Sequence, residues 1–453
     1  MAESERGTSP AQPRVRTVLS CRIVTSRPEL YEGLAALIAG WGLPCRALAT
    51  ARALAEPAGE PELDLLVLEG EQPGPGLRQL LARRNAGGGP VVALLRRGRP
   101  RLASLALALG CDDGIAFPLA EDELRLRLEA QAGHAMLSRE LRLRELVCER
   151  WREPGRPSPA VVAGPPEGLV LLVGPPSPVQ VELARALPLE RVVFVRSLRT
   201  AALRLAEEQP RLVLVSVEGG IERERAGLEQ LAAAARRAAV VALLAAPGER
   251  IPALEAVRLG FADRIAVDDT PEELRLRLGF WLRRVTVQRG LVRQRLSAKG
   301  GPAVDPATGL WGRAMLLDYL NRRESYPGGR ERRCVVVRLG GLAELAARLG
   351  HLRVERLLAS CGEWLAARVR AEDLPVHLGE GAFCVVLPPS RSADPEGLAR
   401  RLREELALPL PADDGPALLP VATVCGRFAR PADAPRALER AVRDAARPLG
   451  LAA

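Results

Sequence analysis

Aromatic residues make up only 3% of the 453-residue chain, so any buried core must be built mainly from Leu, Val, Ala and Ile. Such side chains suit layered helices and strands. Hydrophobic residues reach 47%, which is enough to give each domain a core. At roughly 150 residues per domain, the length predicts about three domains.

Long apolar runs and closely spaced cysteines are also missing. No apolar stretch approaches the roughly 18 residues that a membrane-spanning helix needs, and the first residues, MAESER, lack the basic-then-apolar pattern of a secretory signal. The eight cysteines include no CxxC pair and there are only three histidines, which argues against zinc and disulfide scaffolds. We therefore expect a cytoplasmic protein with no metal, no cofactor and no membrane partner.

Lysine is almost absent, because Lys299 is the one lysine among the 65 basic residues. The formal net charge of +10 raises the question of a nucleic-acid partner. However, the arginines alternate with leucine, as in residues 123–128 (ELRLRL), which is typical of the solvated face of an amphipathic helix. The sequence also lacks a helix-turn-helix pattern and a basic run interleaved with aromatics, so we predict no nucleic-acid binding.

An internal repeat fills the first two thirds of the chain. Residues 109–116 (LGCDDGIA) recur 150 positions later as 259–266 (LGFADRIA), and residues 123–128 recur at the same offset as 273–278. Self-similarity at a fixed spacing predicts two copies of one domain.

Each copy alternates short, continuously apolar runs with helical patterns. In the first copy we predict strands at 18–24, 64–68, 91–95 and 115–117, and helices at 28–39, 76–84 and 119–132. Strands that are apolar on both faces favour a parallel sheet covered by helices. The predicted fold of each copy is therefore α/β, a doubly wound sheet of the flavodoxin-like kind.

Three segments of the first copy, 64–69, 90–95 and 109–118, resemble the third, fourth and fifth strand regions of response-regulator receiver domains. That resemblance implies an Asp that accepts phosphate, an acidic pair for magnesium, and a hydroxyl and a Lys for the phosphoryl oxygens. The phosphoacceptor position carries Glu69 in the first copy and Ser216 in the second. The other positions also depart from the family pattern, with Thr25, Ser26, Leu95 and Phe117 in the first copy and Gly174, Pro175, Leu244 and Val267 in the second.

These departures predict two degenerate receivers that do not transfer phosphate. Glu69 either imitates a phosphorylated state or is a solvated acid left by drift. Receivers pair through faces made by the fourth strand and fifth helix, so the resemblance implies partner docking and a homodimer. The alternative is that these domains only add bulk.

Domain boundaries follow from proline-rich and glycine-rich segments. The prolines of 154–159 (PGRPSP) cannot continue a helix, and residues 299–302 (KGGP) end a long helix predicted over 271–296. These signals predict a flexible tail (1–14), a first receiver-like domain (15–136), a helical and Pro-rich linker (137–160), a second receiver-like domain with a long connecting helix (161–298) and a C-terminal domain (303–453).

The C-terminal domain carries motifs of its own. Residues 305–313 (DPATGLWGR) resemble the DxLTGLxNR opening of GGDEF domains, the diguanylate cyclase family, with five of the seven specified positions identical. Residues 377–388 (HLGEGAFCVVLP) stand where RxGGDEF and its apolar strand are expected, and residues 421–426 (VATVCG) resemble the later VTVSxG strand. The resemblance implies a nucleotidyl-cyclase-like α+β fold, in a domain order similar to that of PleD-type and PopA-type regulators.

This resemblance also implies two GTP molecules held across a dimer, with divalent ions bound by carboxylates on the first strand and in the hairpin. Those positions carry Arg338 and Gly381, and Gly340 and Ala382 also replace acidic residues. Arg338 places a positive charge where a cation should sit, so we predict no cyclase activity. His377 is predicted to be structural, because the sequence offers it no partner.

A second family motif is intact. GGDEF domains often carry RxxD shortly before the hairpin glycines, where the product cyclic di-GMP binds, and this chain has Arg370 and Asp373 before Gly379. An Arg can present two donors to the O6 and N7 edge of guanine or grip a phosphate, while a carboxylate can accept from the N1 and N2 hydrogens. Arg401 stands where the family has a further Arg that reaches the ligand from a neighbouring domain. Common descent without retained binding is the alternative.

The sequence thus predicts a catalytically silent, two-component-type signalling protein that binds cyclic di-GMP and acts through protein contacts. By resemblance to PopA-type proteins, we expect an adaptor for proteolysis, positioned at a cell pole. The alternatives are residual diguanylate cyclase activity and a scaffold that binds no nucleotide.

Overall fold

The computed structural model describes residues 20–55, 63–70, 75–85, 89–151, 168–175, 178–187, 191–216, 221–235, 240–245, 253–266, 270–322, 331–388, 394–406 and 419–451. The tail predicted for residues 1–14 and the Pro-rich segment 154–159 lie outside these ranges. No helix in the described part of the chain is long and apolar enough to cross a membrane.

The first sheet is parallel and has the flavodoxin-like strand order β2-β1-β3-β4-β5. Its elements are β1 (Cys21–Thr25), α1 (Glu32–Gly40), β2 (Cys45–Ala49), α2 (Thr50–Ala55), β3 (Leu63–Leu68), α3 (Pro75–Asn85), β4 (Val91–Arg96), α4 (Pro100–Ala108), β5 (Asp113–Phe117) and α5 (Glu121–Arg150). Strands β1, β3 and β4 are buried almost throughout because helices cover both faces. The four predicted strands are confirmed, whereas β2, α2 and α4 have no counterpart in the prediction.

The second sheet repeats this arrangement, with parallel strands in the order β7-β6-β8-β9-β10. Its elements are β6 (Leu169–Val173), α6 (Pro178–Ala186), β7 (Arg191–Val195), α7 (Leu198–Glu208), β8 (Leu212–Ser216), α8 (Ile221–Ala235), β9 (Val240–Ala245), α9 (Ala253–Arg258), β10 (Asp263–Ala266) and α10 (Pro271–Ser297). The matching strand order confirms two copies of one fold. Helix α10 confirms the predicted long helix, and it begins at a capping box formed by Thr270 and Glu273.

The two α/β domains pack against each other through corresponding elements, with α10 lying against α4, β5 and α5. Each domain buries an Asp–Arg ion pair near this face, Asp113–Arg127 at 2.7 Å and Asp263–Arg277 at 2.6 Å. Leu276 of α10 belongs to the apolar core of the first domain. The resemblance to receivers implies that such faces pair between two chains. In this structure, the faces of the two domains instead contact each other within one chain.

Helix α5 is one continuous helix of 30 residues, and its second half takes up residues 137–150 of the predicted helical linker. Leu143 and Val147 from this half are buried in the core of the C-terminal domain. Two charged residues of this stretch, Glu140 and Arg144, are buried as an ion pair rather than solvated. A Cβ at Gly133 would lie 3.0 Å from Arg284 Nη1, so glycine within the helix lets α10 approach.

The C-terminal domain is α+β, as predicted, with a sheet in the order β11-β13-β14-β12-β15 that is antiparallel except between β11 and β13. Its elements are β11 (Trp311–Gly312), α11 (Arg313–Asn321), β12 (Arg332–Leu339), α12 (Leu342–Leu349), α13 (His351–Arg368), β13 (Leu374–Gly379), β14 (Ala382–Leu387), α14 (Pro395–Leu406), β15 (Val421–Phe428) and α15 (Ala434–Ala446). Strand β13 has the RxxD motif immediately before it and the β13–β14 hairpin immediately after it.

Candidate functional site

The β13–β14 hairpin lies where the sequence predicts the active-site loop. Its turn residues Gly379, Glu380 and Gly381 have positive φ angles of 100°, 49° and 73°. Glycine adopts such angles easily, whereas Glu380 pays a small conformational penalty. The Glu380 side chain is 89% exposed, so its carboxylate lies in solvent.

Arg338 lies near the end of β12, where it pairs with Ala382 of β14 and Ala422 of β15. Its side chain is 11% exposed, and its Nη2 lies 3.5 Å from Glu380 Oε2. This ion pair contributes little because Glu380 is solvated. Arg338 Nε is buried and donates no hydrogen bond within the described residues. A guanidinium therefore occupies the position where the resemblance requires a metal-binding carboxylate.

Apolar side chains fill the space beside the hairpin. A Cβ on Gly381 would clash with Leu342 Cδ1, and a Cβ on Gly340 would lie 3.3 Å from Pro420 and 3.6 Å from Leu449. Across the part of the chain that the structure describes, no three His, Cys, Asp or Glu side chains form a group that could hold a metal ion. The residues present here do not fit the divalent ions that the resemblance implies.

The RxxD motif forms a tight turn before β13. The Arg370 backbone N–H donates to Asp373 Oδ2 at 2.9 Å, and the Asp373 N–H donates to the Arg370 carbonyl at 3.1 Å. The Arg370 residue is exposed, whereas Asp373 is only 6% exposed. Burial, assisted by the negative charge of Glu372, raises the pKa of Asp373 to about 7. Arg370 is therefore on the outside of the turn, while the Asp373 carboxylate closes the turn from inside.

An arginine from the first α/β domain binds this turn. Arg144 of α5 donates from Nη2 to the Glu372 carbonyl at 2.5 Å and from Nη1 to the Ala371 carbonyl at 3.4 Å. Its Nε donates to Glu140 Oε1 at 2.9 Å. Sequence reasoning misses Arg144, because it stands in an alternating Arg–Leu run more than 200 positions before the turn.

Glu140 joins α5 to the C-terminal domain. Its Oε1 accepts from the Tyr319 hydroxyl at 2.8 Å, and its Oε2 accepts from Arg332 Nη2 at 3.1 Å. Burial alone would raise the pKa of Glu140, but the attraction of Arg332 and Arg144 outweighs it and holds that pKa below its usual range. These four residues, Glu140, Arg144, Tyr319 and Arg332, are all buried, and we call them the Glu140 network.

Arg401, the third predicted ligand-binding residue, lies on α14 with its side chain 53% exposed. Its Nη2 donates to the Arg368 carbonyl at 3.3 Å, and its Nε lies 4.0 Å from Glu405 Oε1. Because Arg368 ends the helix that leads into the RxxD turn, Arg401 lies in the same neighbourhood of the domain as Arg370.

His377 lies beside an acidic side chain, which the sequence does not suggest. Its Nδ1 lies 2.9 Å from Asp305 Oδ1, and its ring packs against Phe383 at 5.0 Å between centroids. Asp305 Oδ1 also accepts from the Thr308 N–H at 2.9 Å and from its hydroxyl at 2.7 Å. The opening motif thus closes a turn against β13, which is a structural role.

The two α/β domains differ at the positions where the resemblance implies a phosphoacceptor. Glu69 accepts from the hydroxyls of Thr25 at 3.2 Å and Ser26 at 2.5 Å, and Arg27 Nη2 lies 3.6 Å away. Its side chain is 26% exposed. In the second domain, a Cβ on Gly174 would lie 2.7 Å from the Ser216 carbonyl oxygen, so these two backbone segments lie close together.

Comparison with known proteins assigns the C-terminal domain. Residues 302–447 match the family model described as the diguanylate cyclase, GGDEF domain. The C-terminal third of the chain is therefore a GGDEF domain, as the sequence predicts.

Solved structures similar to this chain include the FimX GGDEF domain from Pseudomonas aeruginosa, at 19% identity over 32% of this chain and 94% of that chain, with a TM-score of 0.29. They also include the GGDEF domain of DgcB from Caulobacter crescentus in complex with c-di-GMP, at 16% identity over 33% of this chain and 89% of that chain, with a TM-score of 0.29. Diguanylate cyclase SiaD in complex with its activator SiaC, from Pseudomonas aeruginosa, aligns at 22% identity over 36% of this chain and 64% of that chain, with a TM-score of 0.31. No curated protein matches the chain.

Proposed function

We propose that this chain is a catalytically silent GGDEF protein that binds cyclic di-GMP at the RxxD turn and acts through protein contacts. The contrast between two positions of the GGDEF domain carries the proposal. Arg338 occupies the metal-ligand position of the hairpin pocket, whereas Arg370 is exposed on the RxxD turn.

The chemistry of the RxxD turn suits a guanine nucleotide. The Arg370 guanidinium has donors for the O6 and N7 edge of guanine or for a phosphate. Asp373 Oδ2 accepts a hydrogen bond from the Arg370 N–H. In its ionised form, the carboxylate has further lone pairs that can accept from guanine N1–H and N2–H. Arg401 supplies a further exposed guanidinium.

We further propose that the two α/β domains are degenerate receivers that do not transfer phosphate. The hydrogen bonds that hold Glu69 to Thr25 and Ser26 support a fixed charge at the first site. At the second site, Ser216 offers a hydroxyl in place of a phosphate-accepting carboxylate, and its backbone lies close to Gly174. Their output would be a protein contact of the adaptor kind.

Isothermal titration calorimetry with cyclic di-GMP tests the receptor proposal. We expect binding heat with the wild type, no heat with Arg370→Ala, and unchanged heat with Arg348→Ala, an exposed arginine on α12 that serves as the matched control. Incubation with GTP and magnesium should yield no cyclic di-GMP. Clear product formation would favour residual cyclase activity and overturn our account of Arg338.

A scaffold that binds no nucleotide is the second candidate, because Asp373 is buried and already bound to its own turn. Absence of heat in the wild type, at pH values above the pKa of Asp373, would support the scaffold and reject the receptor.

A further inference from the structure

The RxxD turn is held from outside its own domain. Two carbonyl groups of the turn, those of Ala371 and Glu372, accept hydrogen bonds from Arg144 of α5. The guanidinium is a planar fork with its donors in fixed directions, so its orientation fixes the turn. That orientation is set in turn by Glu140, which Tyr319 and Arg332 hold in place.

We propose that Arg144 is a positioning residue for the cyclic di-GMP site, and that it couples occupancy of the RxxD turn to docking of the GGDEF domain on helix α5. This inference rests on the function proposed above. It assigns to the first α/β domain a direct influence on ligand affinity.

Helix α5 connects the first α/β domain to the RxxD turn without a break. Helix α5 begins at Glu121 as the last helix of the first α/β domain and ends at Arg150 in contact with the GGDEF core. At its start, Arg127 binds Asp113 of β5 at 2.7 Å. One rigid element therefore extends from the sheet of the first domain to the RxxD turn, and a shift of α5 moves Arg144 relative to that turn.

The electrostatic part of the coupling acts on Asp373. The charged groups on its own segment are Arg370, which favours the ionised carboxylate, and Glu372, which opposes it. From α5, Arg144 also favours the ionised form. From α10, Arg284 faces Glu372 and Arg295 faces Arg144.

Guanine donates hydrogens to an ionised carboxylate, so the docked position of Arg144 favours the form of Asp373 that binds ligand. Because coupling is reciprocal, bound cyclic di-GMP strengthens the docking of α5 on the GGDEF domain. Undocking of α5 would conversely lower ligand affinity.

Calorimetry with cyclic di-GMP, from about pH 5.5 to about pH 8.5, tests this inference on the full chain. Arg144→Gln removes the positive charge, and we expect it to weaken affinity by about tenfold at neutral pH and to move the midpoint of the pH profile upward. Arg144→Lys keeps the charge but loses the fork, so it should weaken binding while leaving the midpoint in place. Arg142→Gln, on the exposed side of the same helix, should change neither quantity.

The outcomes separate this inference from the function on which it rests. No heat in the wild type rejects the proposed function itself. Wild-type affinity and an unshifted pH midpoint in a folded Arg144→Gln variant would reject the coupling and leave the receptor intact. If Arg144→Gln does not fold, an Arg144→Lys variant that binds as tightly as the wild type rejects the positioning role.

Discussion

The two ends of strand β13 have opposite surroundings. At its C-terminal end, Leu342 packs against the hairpin glycine Gly381, and Arg338 stands where the resemblance to cyclases implies a carboxylate. At its N-terminal end, the RxxD turn keeps both charged residues and is bound by Arg144. The difference teaches that Asp373 has a structural role that needs no ligand, because it closes its own turn. Glu380, the acidic residue of the hairpin, instead has a side chain that is 89% exposed.

The largest expected effect comes from removing the anchor of the RxxD end. Glu140→Ala leaves Arg144 and Arg332 buried without their carboxylate, so we expect the free energy of unfolding to fall by about 3–5 kcal/mol. Chemical denaturation followed by circular dichroism measures this change. Glu149→Ala, on the exposed part of the same helix, is the control and should change stability by less than about 0.5 kcal/mol. Equal effects of the two substitutions would contradict a buried ion network.

The hairpin end can be probed with a matched pair of glycines. Gly381→Ala combines a positive φ with a clash against Leu342, so we expect a loss of about 2–4 kcal/mol. Gly379→Ala has the positive φ but no atom within 4 Å of the added Cβ, so strain alone should cost about 1 kcal/mol. Thermal melts of both variants, and of Gly381→Ala combined with Leu342→Ala, measure the difference. If the two single variants lose equal stability, Leu342 does not fill the pocket.

The pH dependence of stability sharpens the account of Asp373. The pKa of this carboxyl is raised from 3.8 to about 7, so its contribution to stability is complete below pH 3.8 and is lost as the pH rises through 7. Asp373→Asn keeps an acceptor for the Arg370 N–H and does not titrate. Relative to the wild type, we expect this variant to gain about 2 kcal/mol between pH 5.5 and pH 8.

Denaturation curves at both pH values measure that gain. Glu372→Gln removes a negative charge beside Asp373 and should reduce the pH dependence of the wild type without abolishing it. A constant stability difference between wild type and Asp373→Asn at the two pH values would contradict a raised pKa.

The smallest effect is expected far from β13. Glu69→Gln keeps hydrogen bonds to Thr25 and Ser26 but removes the charge, so the free energy of unfolding should change by less than about 1 kcal/mol. Affinity for cyclic di-GMP should stay the same. A large change in affinity would indicate that the charge at position 69 influences ligand binding by the GGDEF domain.

Local sequence patterns predict the central strands well, because β1, β3 and β4 are continuous apolar runs. The edge strand β2 (CRALA) escapes prediction, since it is only partly buried and contains Arg46. The packing of α5 also escapes prediction, because the charged residues of its second half suggest a solvated surface, whereas Glu140 and Arg144 are buried.

The residues of the candidate site likewise include some that the sequence predicts and some that it does not. Motif spacing locates Arg338, Gly381, Arg370 and Asp373, because those positions are read along the chain. It gives no sign of Arg144, since this contact depends on how a helix from one domain packs on another. The burial of Asp373 is likewise a tertiary property.

The contrast between the two ends of β13 is tested most directly by amide hydrogen exchange of the wild-type protein with and without cyclic di-GMP, above pH 7. We predict slower exchange at residues 370–374 and in the second half of α5, with no change at the hairpin residues 379–382. Protection of the hairpin instead of the RxxD turn, or no protection at either end, would contradict the account.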